Sequence, residues 1–417
     1  MAADPHPHPH PHPRPWRRLD TAALPETLRH EPSRRFLTEA GLPEQAAELD
    51  FASIRDGHLP PLTEDVTAVD APVALDGQLL VLGRTDHWEA RLVLDGEGGG
   101  VHLVAWEGED LCHDLIASGV PELAALLGEI ETVSGSPRDP VPAMEPRGLA
   151  TLTRARTESE QRLRRADPRL YELYDAQEPA REPAHWGAVL LVRTLHLAAR
   201  PGGPGELAYE IEPELVAQLA EGDGGGSGGR DGVRRFTEDE LPAGLTHAPT
   251  RRLLTEVGLP RETDMFAVTD GPLRTVGEAH PSFFEPGAEL PSRAYQRDFH
   301  ALGWWAGDLA LALDGTTGRL ELPDWFDHGS PAAYLHQDLS ALLFACWTYQ
   351  QAHAAWARWD IGAGGRPAPW HVYSPKHLLE SRVAALVEAV DPAAWATEWH
   401  SWPQLENDDH TGGLLCS

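Results

Sequence analysis

Three acid or thiol neighbours of histidine are the first candidates for chemistry in this 417-residue sequence. Cys112-His113 supplies a thiol and an imidazole, but adjacent residues are poorly placed to act as nucleophile and base. His336-Gln337-Asp338 and Asp86-His87-Trp88-Glu89 each put one acid near one histidine, with no third group to orient them. His6, His8, His10 and His12 alternate with proline. Four imidazoles so spaced hold a divalent metal only loosely, and the alternation reads as a low-complexity tail. Phosphate loops, the dinucleotide fingerprint, His-Glu-x-x-His, Gly-x-Ser-x-Gly and the zinc-deaminase pattern are all absent. Among the many carboxylates no two are singled out as a glycosidase pair. No catalytic residue, metal or cofactor is expected.

Charge distribution carries more. The net charge is −31, and Lys376 is the only lysine. Phosphate contacts supply most nucleic-acid affinity, so this sign argues against direct nucleic-acid binding and suits a basic protein partner. Residues 92–137 contain nine carboxylates (Asp95, Glu97, Glu107, Glu109, Asp110, Asp114, Glu122, Glu129, Glu131) and no Lys or Arg. Residues 320–357 contain Glu321, Asp324, Asp327 and Asp338, again without a base. Trp106 lies beside Glu107, and Trp325 between Asp324 and Phe326-Asp327. Aromatic contact area beside carboxylates is what docking of a cationic protein requires. Trp106, Glu107, Glu109, Asp110, Asp324, Trp325 and Asp327 are therefore the candidate partner-binding residues. The competing reading puts both tryptophans in the core and leaves the acids solvated. For Trp304-Trp305 one ring is expected in the core and the other on the strand surface.

The elements that would carry these residues occur twice. Leu24 to Pro43 and Leu241 to Pro260 share thirteen of twenty positions at a constant offset of 217. Such a repeat decides the fold before anything else does. In each copy a Pro-started helix ends on Gly-Leu-Pro (Gly41, Gly258). Strands are expected over residues 73–83 and 87–94, and over Leu309–Leu313 with Arg319–Leu322 after a turn. Asp95-Gly96 and Asp314-Gly315 mark the turns. Helices follow, with Leu123, Leu126, Leu127 and Ile130 at i, i+3, i+4, i+7, matched by Leu339, Leu342, Leu343 and Cys346. Asp167-Pro168 and Asp391-Pro392 form a later parallel. Residues 206–220 suit one amphipathic helix of the first copy. The reading is a disordered His-Pro tail (1–18), a first domain (19–221), a Gly-rich linker (222–235) and a second domain (236–417). No apolar run is long enough to span a membrane, the N-terminus lacks a secretory layout, and three scattered cysteines suit a reducing cytoplasm.

The order of these motifs resembles the SUKH superfamily, most closely its fourth subfamily, which is common in actinobacterial polymorphic toxin systems. The carriers are Arg34 to Pro43, Leu82-Gly83, Leu92 to Gly96 and Leu123 to Leu127. In the second copy they are Arg251 to Pro260, Leu302-Gly303, Leu311 to Gly315 and Leu339 to Leu343. The resemblance implies an α+β fold: two tandem SUKH-like domains, each a twisted, mostly antiparallel sheet with helices packed against it. It implies a non-enzymatic immunity protein that neutralises a cognate toxin, often a nuclease or nucleic-acid deaminase, by binding it. The family's shared residues are structural, so no site residue is carried over. The alternatives are a cytoplasmic two-domain scaffold or regulator, and an enzyme of unrecognised type. The sequence gives no oligomeric state and does not say which copy binds.

Overall fold

The computed structural model describes residues 16–65, 78–85, 90–107, 110–133, 147–176, 182–222, 232–285, 291–325, 333–359 and 375–406. It divides into two compact units. The first comprises Met1–Ser134, Thr157–Leu190 and Trp359–Leu378; the second comprises Gly135–Arg156, Leu191–Arg358 and Leu379–Ser417. The residues expected as tail up to 15, and residues 223–231 of the linker, lie outside the described residues. Arg17 bridges to Leu42 at the edge of the first unit.

The first unit holds one six-stranded sheet in sequential order: β1 (Gln45–Ala46), β2 (Leu49–Asp50), β3 (Leu79–Thr85), β4 (Arg91–Asp95), β5 (Val101–Glu107) and β6 (Asp110–Ala117). Every pairing is antiparallel. The strands expected at 73–83 and 87–94 are β3 and β4; residues 73–77 and 87–89 are not among the described ones. Helix α1 (Glu31–Glu39) packs against a later helix on the expected periodicity. Short helices α2 (Ala52–Asp56) and α3 (Leu62–Asp65) follow it, and α4 (Val120–Thr132) is the later helix. Leu123, Leu126, Leu127 and Ile130 of α4 are buried, each worth roughly 1.5–3 kcal/mol against exposure. Helices α5 (Leu149–Ala166), α6 (Pro168–Asp175) and α7 (Ala184–Thr194) come next. Because side chains alternate across a strand, Val81, Val93 and Val104 share one face, where Leu62 covers them. Leu80, Leu82, Leu92, Leu94 and Leu103 are buried on the other.

In the second unit two short ladders precede the main sheet: β7 (Arg200–Pro201) with β8 (Tyr209–Glu210), and, after α8 (Pro213–Glu221), β9 (Val233–Arg234) with β10 (Leu259–Pro260). Helix α9 (Ala248–Arg252) runs on as a wider π turn over Leu253–Val257. The sheet order is β11 (Phe266–Val268), β13 (His300–Trp305), β14 (Leu309–Leu313), β15 (Leu320–Glu321) and β16 (Tyr334–His336), with β12 (Arg274–Thr275) also on β13. Helices α10 (Val276–Ala279), α11 (Leu339–Trp359), α12 (Lys376–Val390) and α13 (Ser401–Glu406) complete it.

The duplication holds bond by bond. The His30 imidazole shares a 2.8 Å hydrogen bond with the Ser33 hydroxyl, and His247 shares one of 2.8 Å with Thr250. Arg29 and His30 donate their backbone N–H groups to the Gly96 carbonyl; Thr246 and His247 donate theirs to Gly315. Arg34 Nη1 reaches the Leu28 carbonyl at 2.7 Å, and Arg251 Nη1 the Leu245 carbonyl at 3.1 Å. Gly41 and Gly258 have φ of 84° and 90°, and a Cβ there would overlap the carbonyl oxygens of Arg17 and Arg234. Glycine closes this helix because only it tolerates both demands. Asp167 accepts from the Ser118 N–H (2.6 Å) and hydroxyl (2.8 Å) and caps α6 through Leu170. Asp391 takes the same place on the short helix after α12.

The copies differ around the helix that follows the sheet. It spans thirteen residues as α4 and twenty-one as α11, where Leu342, Leu343, Phe344, Cys346 and Trp347 are all buried. The far side of α11 is closed by α8, the helix expected over residues 206–220, which belongs to the second unit. Trp347 Nε1 donates to Gln218 at 2.8 Å, Tyr209 stacks on Phe344 at 5.3 Å, and Asp338 accepts the Ala208 N–H at 2.8 Å.

His196, in the turn Leu195–Ala198 of the second unit, has no hydrogen-bond partner at either ring nitrogen among the described residues. Burial, helped by Arg147, lowers its pKa to about 4. An imidazole depressed on folding stabilises fully above its unfolded value near 6.5 and loses that contribution as pH falls toward 4. The unfolding free energy from urea titration is therefore expected to drop between pH 7 and 4.5, by on the order of 2–3 kcal/mol from His196 alone. His196→Leu should remove that share; an unchanged pH slope in the variant would discount it.

Candidate functional site

Antiparallel register places the first set of candidates at the end of one hairpin. β5 and β6 pair from Val101 opposite Ala117 to Glu107 opposite Asp110, with Trp106 opposite Leu111. Glu107 and Asp110 are thus register partners at the end of this hairpin. Glu109 lies outside the described residues, between those two.

The other acids of this stretch serve the fold. Asp95 accepts the Glu97 N–H at 2.9 Å inside its turn. Asp114 is buried and accepts the Tyr174 hydroxyl. Glu129 pairs with Arg162 at 3.2 Å, and Glu131 accepts the Ala47 N–H at 3.3 Å. Asp114, Glu129 and Glu131 thus have partners within the fold, while Glu97 stands exposed.

In the second copy Asp324 is half-buried and accepts the Ala310 N–H at 2.9 Å. Burial raises its pKa against that N–H and the nearby His280. Trp325 is 9% exposed; its indole N–H donates to the Trp399 carbonyl at 2.8 Å, and its own carbonyl accepts from the buried Arg293 guanidinium. Glu321 is buried under Tyr295 (2.7 Å) and Gln296 (2.6 Å), with Arg319 at 2.7 Å. Asp338 caps α11 through Ser340 and Ala341. Asp327 lies outside the described residues.

The structure adds a site that charge counting missed. Trp305 is fully buried while Trp304 is 41% exposed, as alternation across β13 requires. Trp304 lines a pocket of about 180 Å³ with Thr269, Pro272, Arg274, Ala279, His280, Ala301 and Gly303. Ala301, which lines it, pairs with Ala312, and Trp304 pairs with Ala310. The first sheet has Val81 and Val93 opposite one another at comparable positions. His280 meets Trp304 edge-on at 5.2 Å and stacks on Phe283 at 5.0 Å. Burial lowers its pKa, with Arg274 adding to the drop and Asp324 opposing it. The residue following the bulge glycine of the first copy is Arg84, whose guanidinium lies 3.6 Å from Asp50, itself paired with Arg55 at 2.9 Å. A Trp flanked by proline and histidine could have flagged the pocket only if Pro272 and His280 were known to fold back over β13.

Among the described residues no cluster of His, Cys, Asp and Glu could hold a metal ion, and no helix is long and apolar enough to cross a membrane. A family model described as SUKH-4 immunity protein matches residues 16–193 and again residues 218–408. No curated protein matches the chain, and no solved structure does.

Proposed function

We infer the function from one premise: the chain belongs to the SUKH-4 immunity protein family, whose model fits it twice. It is a toxin-neutralising immunity protein that acts by docking, with no chemistry of its own. The double match is the observation that carries this reading.

The finer points rest on charge. A toxin that cleaves or deaminates nucleic acid needs a basic groove, because phosphate contacts dominate its affinity. A chain of net charge −31 approaches such a groove with steering in its favour. The proposed partner is therefore a basic nuclease or deaminase domain, met in the cytoplasm. The proposed contacts are Trp106, Glu107, Glu109 and Asp110 on the first copy, with Asp324, Trp325 and Asp327 on the second. The acids opposed across the β5–β6 hairpin support the first group.

Coexpression tests the reading. Cells making the toxin domain encoded beside this gene are expected to survive only with this protein present, and undiminished killing would sink it. The triple variant Glu107→Lys, Glu109→Lys, Asp110→Lys is expected to slow association at least tenfold at low salt, since rim charges act mainly on encounter. An unchanged association rate would remove the hairpin from the contact surface.

A further inference from the structure

We propose that the pocket beside Trp304 receives one arginine side chain of the protein partner, its guanidinium lying on the indole and facing the Asp324 carboxylate. This rests on the docking role inferred above and names the chemistry of one contact.

Size comes first. About 180 Å³ is below the range of a cofactor or drug-sized ligand and suits a single side chain. The walls are preset: His280 is braced between Trp304 and Phe283, so little ordering is needed on binding. Trp304 offers its ring to solvent, and tryptophan is the best aromatic partner for a cation. The wall opposite does not repel one, because burial keeps the His280 imidazole neutral near pH 7.

Negative charge is also in place. Ala310 is the residue paired with Trp304 across β13 and β14, and its N–H holds Asp324. The carboxylate is thereby fixed one strand over from the indole, close enough to His280 for each to bias the other's charge. The rim cation, Arg274, has a counter-charge: Glu278, held low first by the N–H and hydroxyl of Thr275, is also lowered by Arg274. With a net charge of −31 over the chain, an acidic side chain would enter against the field. A guanidinium fits better than an ammonium because it is planar, stacks, and is less strongly hydrated.

The first copy differs at this position. At the matching register position its own Arg84 lies against Asp50, so that site is already occupied by a guanidinium from within. The second copy carries an exposed indole there instead.

Saturation-transfer NMR on the full chain tests this with three probes: N-acetyl-arginine amide, its neutral isostere N-acetyl-citrulline amide, and N-acetyl-glutamate amide. The arginine probe is expected to bind at least fivefold more tightly than either of the others. Trp304→Ala is expected to weaken it at least fivefold, and Asp324→Asn about threefold, with thermal midpoints checked for folding. Should Trp304→Ala fail to fold, Trp304→Phe is expected to give an intermediate loss. Equal binding of citrulline or glutamate probes, or arginine binding unaffected by a folded Trp304 variant, overturns the proposal. Coexpression separates it from the immunity reading. Protection by the wild type and by a folded Trp304→Ala equally, with no Trp304-dependent arginine binding, removes the pocket and leaves immunity standing. Trp304-dependent arginine binding without protection does the reverse.

Discussion

Alanine at Gly83 or at Gly303 is expected to disrupt the sheet that carries it, a large loss for a single methyl group. A Cβ at Gly83 would lie 2.0 Å from the Asp50 carbonyl oxygen, and one at Gly303 1.9 Å from that of Ala267. Both obstacles are backbone, so no side chain can swing aside. The neighbouring strand must move, and the pairings of Asp50 with Arg84 and Ala267 with Trp304 go with it. Overpacking of this kind costs about 3 kcal/mol or more. Gly57 is the control: its φ is 74° but a Cβ there meets nothing within 4 Å, so alanine should cost only about 1 kcal/mol. Urea midpoints of the three variants decide it. Gly83→Ala as stable as Gly57→Ala would mean that β2 and β3 do not approach as described.

Asp391→Ala is expected to be nearly as damaging. This buried carboxylate accepts from the Gln337 N–H (2.8 Å), the Tyr334 hydroxyl (2.9 Å), the Ala393 N–H (3.2 Å) and His336 Nδ1 (3.3 Å). Burial pushes its pKa up, yet these bonds, His336 first, outweigh burial and hold it below the ordinary value. On its other side the fully buried His336 accepts the Trp402 indole N–H at 2.9 Å through Nε2. Because an indole can only donate, the imidazole is neutral with its proton on Nδ1, aimed at Asp391. Removing the carboxylate leaves four donors without their acceptor, His336 fully buried and the others partly so, which costs on the order of 3 kcal/mol. Near-UV dichroism should report the loosening of Trp402, which packs on Trp305 at 5.1 Å. A loss below about 1 kcal/mol would refute the network. Asp167→Ala tests its counterpart, where Trp186 donates instead to the Ile116 carbonyl at 2.6 Å.

Both predictions concern residues that the repeat made visible. Gly41 and Gly258 could be read because a left-handed turn against a neighbouring backbone admits no other residue. Asp167 and Asp391 could be read because each sits before a proline at a helix start. The α4 helix was plain from its one apolar stripe. The reach of α11 was not: its first three turns are buried on every side, so the stripe of Leu339, Leu342, Leu343 and Cys346 records only part of its contacts. Its cover, α8, lies more than a hundred residues earlier. The acids misled for a related reason. Glu321, Asp338 and Asp114 look solvated in a base-free run, yet their donors are Tyr295 and Gln296, Ala208, and Tyr174. None of these pairings leaves a periodic trace. The Trp304 pocket was half legible: its exposed ring followed from alternation, but the histidine wall comes from the connection before β13, which the repeat in sequence does not mark.

The dependence of α11 on α8 decides where the second half could be cut free. The glycine-rich run looks like the natural seam, but a polypeptide started at Val233 would lack Gln218 and Tyr209. The Trp347 indole and the Phe344 ring would then face solvent as an apolar, aggregation-prone stripe. One started at Leu191 keeps the lid. The gene is thus doubled in sequence but not modular at its glycines, and shuffling it there would leave the second copy unroofed.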